Sequence, residues 1–120
     1  MSHTYLLLLH EAPAAYADMS ADDMRELVQR YAQWAQSMAQ AGHLVSGDKL
    51  TDDGGRHLRL EGGQPLACDG PYAEAHDVIG GTFVLRADSD AQVEALAATC
   101  PHLQGRQWIE IRRIDPMTAD

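Results

Sequence analysis

The sequence predicts an α+β fold, a ferredoxin-like βαββαβ plan with an extra β-hairpin inserted before the third main strand. Three observations carry this. Two segments with helical apolar spacing are each preceded and followed by strand-like runs. A Gly-Gly pair joins two further short runs between them. The chain then closes on an alternating apolar and polar segment.

In order, Thr4–His10 is a short run with both parities apolar, as expected of a strand covered on both faces. The segment Glu11–Met19 reads as a loop broken by Pro13. Ser20 is placed to cap a helix whose first turn carries Asp22 and Asp23, where the helix dipole favours negative charge. Met24, Leu27, Val28, Tyr31, Ala35 and Met38 recur at helical spacing with Trp34 at their border, which predicts a helix over Ala21–Ala41, ended by Gly42. A strand over His43–Gly47 and a polar loop over Asp48–Gly55 follow. His57–Glu61 and Gln64–Cys68 flank Gly62-Gly63, a hairpin in which Pro65 puts the second arm at an edge.

Val78–Ala87 is the best strand. Its Gly80-Gly81 pair predicts a bulge or the close approach of another backbone or a ligand. Ser89 and Gln92 form a capping-box-like start for a second helix with Val93, Leu96, Ala97 and Cys100 inward, stopped at Pro101. After a loop over His102–Arg106, the strand Gln107–Ile114 closes the domain and a polar tail begins at Asp115. The first and third main strands are apolar on both parities while the two helices cover one face. The other face is therefore expected to meet a second copy, giving a homodimer packed sheet to sheet.

A chain of 120 residues forms one domain. A formal charge of −9, with Lys49 its one lysine and eight scattered arginines, argues against nucleic acid and against an anionic membrane surface. Met1-Ser2-His3-Thr4 lacks the basic start of a signal peptide, and no run approaches spanning length. A cytoplasmic location is expected, with Cys68 and Cys100 as free, buried thiols.

Chemistry concentrates in Asp69-Gly70-Pro71-Tyr72-Ala73-Glu74-Ala75-His76-Asp77, which gathers three carboxylates, an imidazole and a phenol after a Gly-Pro bend. With Gly80-Gly81 opening the next strand, it resembles the DGPF-type branch of the YCII-related proteins. Ala41-Gly42-His43-Leu44, Leu50, Pro101 and Glu110-Ile111-Arg112 also fit. The resemblance spans nearly the whole chain and implies a dimeric α+β barrel. Three positions depart from it: Tyr72 stands for the motif's Phe, Ala75-His76-Asp77 for its Thr-Lys-Glu, and Arg113 for the proline of its usual ending. Wider YCII members carry a His–Asp pair with the histidine on the first helix, read as an acid/base dyad. The helix here has no histidine, so that dyad is not carried over.

Asp69, Glu74, His76 and Asp77 are the candidate acid/base residues, because burial in a cleft can bring such groups toward neutrality. Each has a plainer reading: Asp69 as a turn former and the others as solvated loop. Tyr31, Trp34, Tyr72 and Arg112 are the candidate ligand contacts. Against that, Tyr31 and Trp34 could be core, and Arg112 could simply pair with Glu110. No metal is expected. The six histidines lack ligand spacing, a site from His10, His57 and His76 has no motif behind it, and His3, His43 and His102 are expected at the surface or as caps. No phosphate loop or nucleophile elbow occurs.

These readings lead to a small-molecule-binding protein, or an enzyme needing no cofactor, with its pocket between the sheet and first helix of a dimer. Proton-transfer chemistry such as isomerisation, elimination or hydrolysis would suit it. The alternative is a non-catalytic accessory protein connected with sigma-factor signalling, which some members of the resembled family accompany.

Overall fold

The structure is a computed structural model that describes residues 2–71 and 75–118. The chain runs β1 (His3–Glu11), α1 (Ala21–Gln40), β2 (Leu44–Lys49), β3 (Arg56–Glu61), β4 (Gln64–Asp69), β5 (Val78–Ala87), α2 (Asp90–Ala97) and β6 (Trp108–Arg113). Four strands form a fully antiparallel sheet in the order β2-β5-β1-β6, and β3 and β4 pair as a separate two-stranded sheet. This is an α+β arrangement of an antiparallel sheet and two helices, compatible with a ferredoxin-like fold. Among the described residues, no helix is long and apolar enough to cross a membrane.

Strand periodicity sorts β1 into two faces. Tyr5, Leu7 and Leu9 point to the helix side and are buried with Phe83, Leu85 and Ala87 of β5. The helices close over them with Trp34 and Met38 from α1 and with Val93, Ala97 and Cys100 from α2 and its end. Ser20 Oγ caps α1 by accepting from the Asp23 amide, and Ser89 Oγ caps α2 by accepting from the Gln92 amide. On the opposite face Leu6, Leu8, Thr82 and Val84 are half-buried, with Trp108 and Ile79 exposed at one end.

Several boundaries move. β2 runs on through Asp48 and Lys49, expected as loop, because they pair with Thr82 and Gly81 of β5. Trp34, expected at the border of the helix stripe, is among its most buried members. Its indole N–H donates to Thr99 Oγ1 at 2.8 Å, and its ring meets Phe83 edge-on at 5.0 Å. Cys68, expected to be buried, is exposed on β4, whereas Cys100 is buried. Gly62 and Gly63 turn β3 into β4 with φ of +57° and +81°, left-handed values that glycine tolerates.

The Gly80-Gly81 pair forms the expected bulge, and what comes close to Gly80 is a side chain rather than a backbone or a ligand. The β1–β5 register jumps from Leu9↔Gly81 to His10↔Ile79, leaving Gly80 as the extra residue of a bulge. Facing it is the side chain of Glu11, and a Cβ on Gly80 would overlap the Glu11 carboxylate.

Candidate functional site

A cavity of about 320 Å³ lies between the first half of α1 and the helix side of the sheet. Leu9, Met24, Leu27, Val28, Ala32, Ala35 and Phe83 make its walls apolar. Glu11, Tyr16, Tyr31 and His102 bring polar groups to it, and Asp48 and Lys49 of β2 line it as well. An apolar pocket with a few convergent polar groups is the general form of a small-molecule site.

Local folding puts each polar group there. Glu11 continues the inward parity of Leu7 and Leu9 by one step, so its carboxyl is carried into the interior and only 6% of the residue stays exposed. Tyr16 sits in the turns that follow β1, which are closed by backbone hydrogen bonds from Ala15 to Ala12 and from Ala17 to Ala14. Tyr31 projects from α1 four residues beyond Leu27, on the same helical stripe. His102 follows Pro101, which ends the second helical segment, and is 1% exposed.

These side chains form a connected network. The Tyr16 hydroxyl donates to Glu11 Oε1 at 3.2 Å and accepts from Gln107 Nε2 at 2.9 Å. His102 Nε2 lies 2.8 Å from the carbonyl oxygen of His10, which can only accept, so Nε2 carries the proton. In the neutral ring Nδ1 is then an acceptor, and the Tyr31 hydroxyl donates to it at 2.8 Å.

Burial pushes every titration here toward the neutral form. It raises the Glu11 carboxyl above the ordinary carboxylate range, an effect partly offset by the Tyr16 hydrogen bond and the charge of Lys49. It raises the Tyr16 phenol, with the Glu11 charge adding to the effect, and raises Tyr31 further. It lowers His102, which gains back part through its bond to the His10 carbonyl. A carboxyl whose titration is raised in this way is shifted toward the behaviour required of a general acid or base.

Sequence reasoning placed the chemistry elsewhere. Of its candidates, Tyr31 lines the cavity. Trp34 packs in the core beside Phe83. Asp69 is exposed at the end of β4 and pairs with Arg56. His76 is exposed, and Asp77, also exposed, accepts a hydrogen bond from Trp108 Nε1 at 3.2 Å. Arg112, exposed, donates to Glu110 Oε2 at 3.3 Å. Tyr72 and Glu74 lie outside the described residues. Asp77 and His57 border a second groove of about 1,010 Å³ between the 13–17 turns and the 49–55 loop, which Glu11, Tyr16 and Lys49 also line. Among the described residues, no three His, Cys, Asp or Glu side chains stand together as a metal could require.

Four members of the network, Glu11, Tyr16, His102 and Gln107, are not among the residues expected from the sequence. His102, expected at the surface, is one of the most buried residues, because the segment after Pro101 folds inward and offers its ring two partners. Glu11 was read as the first residue of a loop. Its inward parity after Leu7 and Leu9, together with a glycine pair on another strand, was the signal available. No curated protein matches the chain. The YCII-related domain model matches residues 3–118, and the chain accordingly belongs to the YCII-related family.

Proposed function

We propose that this protein is a cytoplasmic homodimer that binds a small molecule in the cavity under α1 and acts on it by metal-independent proton transfer, with Glu11 exchanging the proton. The observation that carries this is a buried carboxyl at the polar end of an apolar cavity, its titration raised by burial and its position fixed by Tyr16. Isomerisation or elimination at a carbon next to a carbonyl suits a base held in apolar surroundings. Tyr31 serves as a ligand contact, oriented by His102. The Asp69-Gly70-Pro71-Tyr72-Ala73-Glu74 motif supports membership of the DGPF-type branch, with the β3–β4 sheet as an insertion into the ferredoxin-like core.

The homodimer reading is supported by shape. The chain measures 50 × 46 × 19 Å with a radius of gyration of 16.5 Å. A compact chain of this length has a radius near ~14 Å. Leu6, Leu8 and Val84 lie on a sheet face that the helices leave open.

A thermal-shift screen of metabolites against wild type and Glu11→Gln tests the ligand site. Ligand binding raises apparent stability by mass action. A hit that is lost or weakened in Glu11→Gln is the expected outcome. Hits that shift both proteins equally, with no turnover of any hit by wild type, would remove Glu11 from the mechanism.

A further inference from the structure

We infer that the polar end of the cavity is built to receive a hydrogen-bond donor, and that its ligand is a small apolar molecule bearing a protonated amine. This rests on the reading of the cavity as a ligand site and specifies the chemistry of its occupant. The His10 carbonyl fixes the proton of His102 on Nε2, which leaves Nδ1 to accept from Tyr31. Gln107 Nε2 also approaches Nδ1, at 3.4 Å. The phenolic proton of Tyr31 is thereby committed to protein. That of Tyr16 is committed in the other direction, to Glu11 Oε1, while its oxygen already accepts from Gln107.

With Glu11 ionised, the groups left for a ligand are acceptors. The Tyr31 oxygen keeps a lone pair after donating its proton and interacting with the Tyr16 hydroxyl, and Glu11 Oε2 accepts no hydrogen bond among the described residues. No buried side-chain polar atom among the described residues lacks a partner, so Glu11 Oε2, which has none, is not sealed away from an occupant.

Charge decides between donors. An anion would meet the Glu11 carboxyl and two phenol oxygens whose protons are already committed, a placement that burial makes costly. An ammonium would do the reverse: set beside Glu11, it favours the ionised carboxylate and is held by a charge-assisted bond. Lys49, the cation of the lining, is answered elsewhere, since its Nζ donates to the Leu50 carbonyl at 3.0 Å and to Asp52 Oδ1 at 3.2 Å. The formal charge of −9 draws cations toward the molecule as a whole. The remaining walls, with Leu9, Leu27, Val28 and Phe83, ask for an apolar body. The volume lies at the small end of the range of small-molecule sites.

Calorimetric titration of the full chain at neutral pH with benzylamine, benzyl alcohol and benzoate tests this. The three probes share a ring and differ in the head group. Benzylamine is expected to bind about tenfold or more tighter than benzyl alcohol, the usual worth of a hydrogen bond to a charged group. Benzoate is expected not to bind. In Glu11→Gln the preference for amine over alcohol is expected to vanish. Tyr31→Phe, which keeps the ring, is expected to weaken the amine by about fivefold, and it gives an independent readout should Glu11→Gln fail to fold. Ala32→Phe, which fills the cavity, is expected to abolish all binding. Benzoate binding as tightly as the amine would overturn the donor assignment while leaving the ligand site standing. Equal affinity for alcohol and amine would overturn the charge assignment. Failure of benzylamine to bind overturns the inference. Failure of these probes and of every metabolite in the thermal-shift screen would overturn the ligand site as well.

Discussion

Gly80 and Glu11 occupy one space between them. The bulge sets Gly80 opposite the buried carboxyl, so a methyl group there must displace it. Gly80→Ala is expected to destabilise the fold by ~1–3 kcal/mol in urea unfolding, as overpacking does. Glu11→Ala in the same chain is expected to recover part of that loss, because the two sites share the contested volume. His102 sets a pH dependence. Its folded titration lies below the ordinary value of 6.5, so the unfolded chain takes up a proton that the folded chain refuses. Stability from this group is complete above pH 6.5 and falls as the pH drops below it. Glu11 has the opposite sign: its raised titration favours the folded state at low pH, and that advantage is lost as the pH rises from 4.5 through the raised value. The stability profile of His102→Gln is expected to lack the fall beginning near pH 6.5, which urea midpoints across pH would measure. The glycine pair was legible in the sequence as a crowded position. Its neighbour Glu11 was not, because a carboxylate after an apolar run looks like the beginning of solvent. Parity sets Glu11 with Leu7 and Leu9 only if β1 runs one residue past His10, and that continuation has no local mark.

At the scale of elements, α1 has two jobs along one stripe. Trp34 and Met38 in its second half seal the core, whereas Met24, Leu27 and Val28 in its first half roof the cavity. Helical periodicity revealed the stripe but not this division, since spacing records which residues share a face and not what lies beneath them. Trp34→Ala is expected to cost ~3–5 kcal/mol of stability, the usual range for removing a buried aromatic side chain. Val28→Ala, which only trims the roof, is expected to stay within ~1 kcal/mol of wild type while altering ligand affinity. The β3–β4 hairpin was legible from Gly62-Gly63, and Pro65 lies in the strand expected to be irregular or at an edge. Its solvent relations were not legible. Leu58, Leu60 and Leu66 lie on its two strands and are 70%, 73% and 53% exposed.

For the molecule as a whole, the α+β plan of an antiparallel sheet and two helices followed from the sequence of elements, because few topologies satisfy short, uncrossed connections among them. The open sheet face is the feature with the largest consequence. If a second copy covers it, light scattering returns a dimer, and Leu8→Glu at its middle is expected to return a folded monomer with an unchanged helical circular dichroism signal. β1 is the partition between that face and the cavity, and His10 belongs to both sides. Its carbonyl receives the His102 proton on the helix side, while its ring stacks on Trp108 at 3.9 Å and bonds Glu110 at 2.9 Å on the open side. A partner that shifts His10 shifts the group that orients Tyr31. Self-association and ligand affinity then become two readings of one linked equilibrium, and linkage is reciprocal. Diluting the protein past its association midpoint is expected to change its apparent affinity for ligand, and saturating ligand to change the concentration at which copies part.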